Sequence, residues 1–100
     1  MFDSEFIRYL QARAVVKSLQ TIGDVVCGLE EPTSHANRLF DDAIRAVESA
    51  ERRWDYATAA EEVHAIQREL AGRLSKKVVD ALELQAGILL HLSQHQLADR

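Results

Sequence analysis

The stretch Ala36-Asn37-Arg38-Leu39-Phe40-Asp41-Asp42-Ala43-Ile44-Arg45-Ala46-Val47-Glu48-Ser49-Ala50-Glu51-Arg52-Arg53-Trp54 decides the fold class. Placed at 100° per residue, Ala36, Leu39, Phe40, Ala43, Ile44, Val47, Ala50 and Trp54 share one side. Arg38, Asp41, Asp42, Arg45, Glu48, Ser49 and Arg52 share the other. Asp41 and Arg45, and Glu48 and Arg52, stand one helical turn apart with opposite charge, as on a solvated helix face. A helix of this kind must bury its apolar side, so the flanking sequence is expected to supply more helices.

Working outward, the first helix is expected to begin after Asp3 or Ser4 and to end near Gly28, because Pro32 pushes Glu31 out of helical geometry. Thr33 or Ser34 caps the second helix, which runs to about Arg53. A third starts at Asp55 or at Thr58, where Thr58-Ala59-Ala60-Glu61 has the form of a capping box. Ser75 can cap a fourth, from Lys76 to Ala98, unless the third runs through Gly72 and the two are continuous. With one Pro and four Gly there is little room for the turns of a β fold. The expectation is an all-α fold: one domain over residues 1–100, built as a small bundle of about four helices.

The third helix has a narrow apolar side of Tyr56, Ala59, Ala60, Val63, Ile66, Leu70 and Leu74. The fourth is apolar around most of its circumference, with a polar strip of Asp80, Glu83, His91 and Gln94 beside Gly87. It is expected at the centre of the bundle or buried in a partner. On the first helix, Ala12, Val15, Leu19, Ile22, Val26 and Leu29 face one way, while Phe6, Ile7, Leu10 and Ala14 face roughly the other. The expected core is Leu39, Phe40, Ile44, Val47, Val63, Ile66, Leu70, Leu82 and Leu89, with Trp54 at the hairpin turn.

From Val47 to Leu70 the residues Val47, Ala50, Trp54-Asp55-Tyr56, Ala59-Ala60, Val63, Ile66 and Leu70 resemble the helix hairpin of UVR-type modules and a single tetratricopeptide unit. Both are protein-interaction modules, so the resemblance implies a binding role. The sequence departs from the first pattern at Glu62, where Leu is expected, and from the second at Ala43 and Val47, where Trp and Gly are expected. Any tight helix hairpin alternates small and large residues in this way, and no family membership is drawn from it.

Sixteen acidic residues against twelve basic ones give a net charge of −4 and no basic stripe, so direct nucleic-acid binding is not expected. A single cysteine excludes an intramolecular disulfide and a cysteine-based zinc site. The longest apolar run, Ile88-Leu89-Leu90, stops at His91, far short of a membrane span. The opening residues lack the basic region of a signal peptide, and a soluble cytoplasmic protein with reduced Cys27 is expected.

Few residues carry a chemical signature. His91 and His95 stand one turn apart, a spacing that lets two imidazoles share a metal ion. Glu61-Glu62-Val63-His64 contains the Glu-x-x-His element of di-iron bundles, in one copy where such sites need two. Cys27 sits near a helix C-terminus, where the dipole opposes a thiolate. Asp41 and Asp42 are adjacent and diverge on a helix, so they cannot share a substrate atom. No enzyme activity, metal, cofactor or small-molecule substrate is expected.

The reading is therefore a non-enzymatic protein-binding module that docks on or blocks a larger protein. The expected binding patch is Phe2, Phe6, Ile7, Tyr9 and Leu10, with Arg8 and Arg13 at its flanks. Three further readings stand beside it. One is a phage-type, anti-CRISPR-like inhibitor that occupies a nucleic-acid-binding surface with Glu30, Glu31, Asp41, Asp42, Glu48, Glu61 and Glu62. Another is a metal-binding protein built on His64, His91 and His95. The last is a structural homodimer.

Overall fold

The computed structural model describes the backbone of residues 4–53 and 55–98 and the side chains of residues 6–50 and 55–94. Four helices follow in order: α1 Ser4–Cys27, α2 His35–Arg53, α3 Tyr56–Glu69 and α4 Lys76–Ala98. Among the described residues there is no strand. Each helix packs on the next and α1 closes against α4. Short connections make neighbours antiparallel, giving an up-down-up-down bundle of 42 × 22 × 21 Å.

Capping side chains set three of the starts. The Ser34 hydroxyl accepts from the Asn37 N–H at 3.2 Å ahead of α2. The Asp55 carboxylate accepts from the Thr58 N–H at 3.2 Å, so α3 begins at the aspartate and Thr58 lies inside it. Ser75 accepts from the Val78 N–H at 3.3 Å ahead of α4. Helices α3 and α4 are two pieces, not one. Past α3, Gly72 takes φ +87°, a left-handed conformation that breaks the helical path before Ser75 starts the next.

The core draws on all four helices. Val15 and Leu19, Phe40 and Val47, Val63, Ile66 and Leu70, and Leu82, Leu89 and Leu92 are buried together. Leu39 and Ile44, expected inside, are half-buried against its edge. Trp54 lies outside the described residues.

Two expectations are corrected. On α1 the inward side includes Val16, Gly23 and Cys27, whereas Leu29 is fully exposed. Helix α1 stops at Cys27 and the chain turns at Gly28, so the helical period no longer applies at Leu29. Helix α4 is a corner of the bundle rather than its centre. Leu84 and Leu90 on it are exposed, while Gln85 is buried.

Candidate functional site

The N-terminal half of α1 carries the expected apolar patch. Phe6, Ile7, Tyr9 and Leu10 are each between 43% and 49% exposed. Phe2 lies outside the described residues. Arg8 is half-buried, one turn before the buried Ala12, and so leans towards the core side of the helix. Arg13 reaches α2, with Nη1 3.8 Å from the Glu48 carboxylate.

The seven acids of the acidic-face reading are spread over the molecule. Glu30 and Glu31 lie in the connection between α1 and α2, Asp41, Asp42 and Glu48 on α2, and Glu61 and Glu62 on α3. Glu30 bonds Arg73 at 2.6 Å and Ser34 at 3.0 Å, while Glu48 faces Arg13. Glu62 is half-buried, and Glu31, Asp41, Asp42 and Glu61 are exposed.

His64 and His91 lie on different helices, α3 and α4. His64 Nε2 stands 3.9 Å from the Glu83 carboxylate across the α3–α4 contact. Gln67 donates to the same carboxylate at 3.2 Å and to the Val79 carbonyl at 3.1 Å. His91 is exposed on α4, and the side chain of His95 is outside the described residues. Among the described residues, no three His, Cys, Asp or Glu side chains converge as metal ligands. His35, not singled out from sequence, lies 3.3 Å from Glu69. Cys27 is buried, and that burial, reinforced by the negative charge of Glu30, raises its thiol pKa above the ordinary value.

A feature that sequence reasoning missed is the seam between α1 and α4, the least extensive of the four helix contacts. Two hollows open along it, of about 510 Å³ and about 310 Å³. The larger is bounded by Gln11 on α1 and by Leu84, Gly87, Ile88 and His91 on α4, with Asp80 and Glu83 at its rim. The smaller is lined by Lys17, Ser18, Thr21 and Ile22 of α1 and by Ala81 and Gln85 of α4. The signal for it was one carboxamide, Gln85, at an inward position of an otherwise apolar arc, two residues from a mid-helix glycine.

No described helix is long and apolar enough to cross a membrane. No protein-family model, curated protein or solved structure matches this chain.

Proposed function

We infer that this protein is a non-enzymatic protein-binding module that docks through the N-terminal half of α1. The observation that carries this reading is the exposure of Phe6, Ile7, Tyr9 and Leu10 within two turns of one helix, beside a core filled without them. Clustered aromatic and aliphatic side chains left in water gain free energy when a partner covers them. Aromatic rings gain most for the few torsions they freeze. The polar groups that chemistry would need are instead drawn into pairs within the chain, as with His64 and Glu83, or Glu30 and Arg73.

The double variant Phe6→Ser, Leu10→Ser tests it, with folding followed by circular dichroism and binding by capture from a host lysate. The expected result is a melting curve close to the parent's and loss of the captured protein. Unfolding of the variant places these residues in the core and overturns the reading, as does unchanged capture. Sedimentation of the parent alone identifies a second copy as the partner if mass rises with concentration and the variant abolishes the rise. Replacing His64, His91 and His95 together by Gln is expected to leave capture intact; its loss in a folded variant redirects the reading to metal.

A further inference from the structure

We propose that a second copy of this chain covers the α1–α4 face, in a two-fold dimer whose axis runs parallel to the helices and lays α1 of each copy on α4 of the other. The proposal rests on the binding-module reading and goes beyond it, naming the partner for a face of which the Phe6–Leu10 patch is one corner.

Apolar exposure divides the bundle in two. Among the described residues, every exposed large apolar side chain on a helix belongs to α1 or α4, and α2 and α3 have none. Three of these side chains stand beside the seam. Leu84 borders the larger hollow together with Gln11, Ile7 lies one turn before Gln11, and Leu10 lies one turn before the exposed Ala14. The α2–α3 half is finished for water and the α1–α4 half is not. A bundle 42 Å long and 22 Å wide offers on one side about the 800 Å² that each partner contributes to a stable interface.

The charges argue for a copy of the same chain as the cover. Between residues 6 and 23, α1 carries Arg8, Arg13 and Lys17 and no acid. Between residues 78 and 94, α4 carries Asp80 and Glu83 and no Lys or Arg. Arg8 is half-buried and Arg13 turns to Glu48 of α2, which leaves the exposed Lys17 as the cation of this face. Asp80 and Glu83 are exposed. A partner of one sign would attract one of the two helices and repel the other. A copy turned about the stated axis meets both with opposite charge, because it sets α1 on α4 and α4 on α1.

The fold fixes the levels at which these residues meet. Gln11 borders one hollow with Leu84 and Ile88, and Lys17 and Ser18 border the other with Ala81 and Gln85. Ala14, between Gln11 and Lys17, is therefore level with the stretch between Gln85 and Ile88, which contains Gly87. Rotation about an axis parallel to the helices leaves these heights unchanged. Lys17 of one copy then stands within a turn of Asp80 and Glu83 of the other, and Ala14 comes opposite Gly87. Two small residues at one level let the helices approach closely, with Leu10 and Leu84 closing over the contact from its two ends. A Cβ at Gly87 would meet nothing within 4 Å inside one chain, so packing within the single bundle does not call for a glycine there.

The experiment is a charge exchange read by analytical ultracentrifugation, with folding checked by circular dichroism. The parent is expected to dimerise reversibly as its concentration rises. Lys17→Glu and Asp80→Lys, both at exposed positions, should each fold and dimerise at least about tenfold more weakly, because each sets like charges against one another at both contacts. An equimolar mixture of the two variants should recover parental affinity, since the mixed dimer restores an opposite-charge pair at both contacts. Cysteine pairs report the register independently of charge. In a Cys27→Ala background, Ala14→Cys mixed with Gly87→Cys should form a disulfide-linked heterodimer on oxidation, and neither variant should link to itself. A parent that stays monomeric at every concentration overturns the proposal. So do variants that dimerise like the parent, a mixture no tighter than its components, or self-linked Ala14→Cys, which would mean that α1 packs on α1. None of the substituted residues belongs to the Phe6–Leu10 patch. Capture from a host lysate by the same variants therefore reports on the patch alone, and either reading can fail without the other.

Discussion

Arg73 Nη2 donates to Glu30 Oε1 at 2.6 Å, joining the connection after α1 to the connection after α3 across one end of the bundle. The second oxygen of Glu30 accepts from the Ser34 hydroxyl at 3.0 Å, so one carboxylate holds both the partner loop and the start of α2. The pair is wet, with the Arg73 side chain 54% and the Glu30 side chain 32% exposed. Exposed ion pairs contribute little, so Arg73→Ala should lower stability by less than about 1 kcal/mol. At ~1 M salt the screening length falls to about 3 Å and most of that loss should vanish. Glu30→Ala should cost more, because the Ser34 contact goes too. Urea denaturation at low and high salt measures all three; a salt-independent loss in Arg73→Ala would show that packing, not charge, is at work.

The core separates into full and partial sites. Leu82 and Ile66 are each 0% exposed, and truncating either to Ala should cost about 2–5 kcal/mol. Ile44 lies at the edge of the cluster and leaves a more open cavity, so Ile44→Ala should cost about half as much. Equal losses at Ile44 and Leu82 in chemical denaturation would contradict the placement of α2.

These elements differ in how far the sequence revealed them. On α2, apolar spacing and charge pairing agree, and the helix Ala36 belongs to was readable to within a residue or two. The break between α3 and α4 was left open because Gly72 is tolerable inside a helix, and the backbone alone shows its left-handed φ. On α1 the period was right but the inward arc too narrow. This helix packs on both α2 and α4, so Val16 and Cys27 are covered from one side and Ile22 from the other. Gln85 was illegible for the opposite reason: its identity argues for the surface, and its position at the seam overrides that. The Phe6–Leu10 patch was readable because no turn of α1 carries these residues and Val15 to the same side.

Two glycines should respond differently to an added side chain. At Gly87 nothing crowds the new methyl group, so Gly87→Ala should gain about 0.5–1 kcal/mol from helix propensity. At Gly23 a Cβ would stand 3.3 Å from the Phe40 ring, across the contact of α1 with α2. There the ring must shift, which offsets the propensity gain, and Gly23→Val should lose about 1–3 kcal/mol by overpacking. Thermal melts of the variants check both. A stabilised Gly23→Val would mean that α1 and α2 are farther apart than described.

Cys27 gives a prediction that depends on pH. Its thiol is raised above its ordinary value of 9.0, first by burial and next by Glu30. The folded protein therefore keeps this proton at pH values where the unfolded chain has lost it. Stability from this source is complete below the unfolded value and drains away as pH rises from about 9 through the folded value. Comparing the parent with Cys27→Ala by urea denaturation from pH 7 to 10.5 should show a constant difference at first, then a narrowing in favour of the variant above pH 9. The thiolate is the reactive species, and the thiol is both protonated and covered. Iodoacetamide at pH 8 should modify the folded protein at least about tenfold more slowly than the urea-unfolded chain, since it must await local opening. Equal rates would place Cys27 at the surface. A parallel decline of parent and variant above pH 9 would assign the pH dependence to other groups.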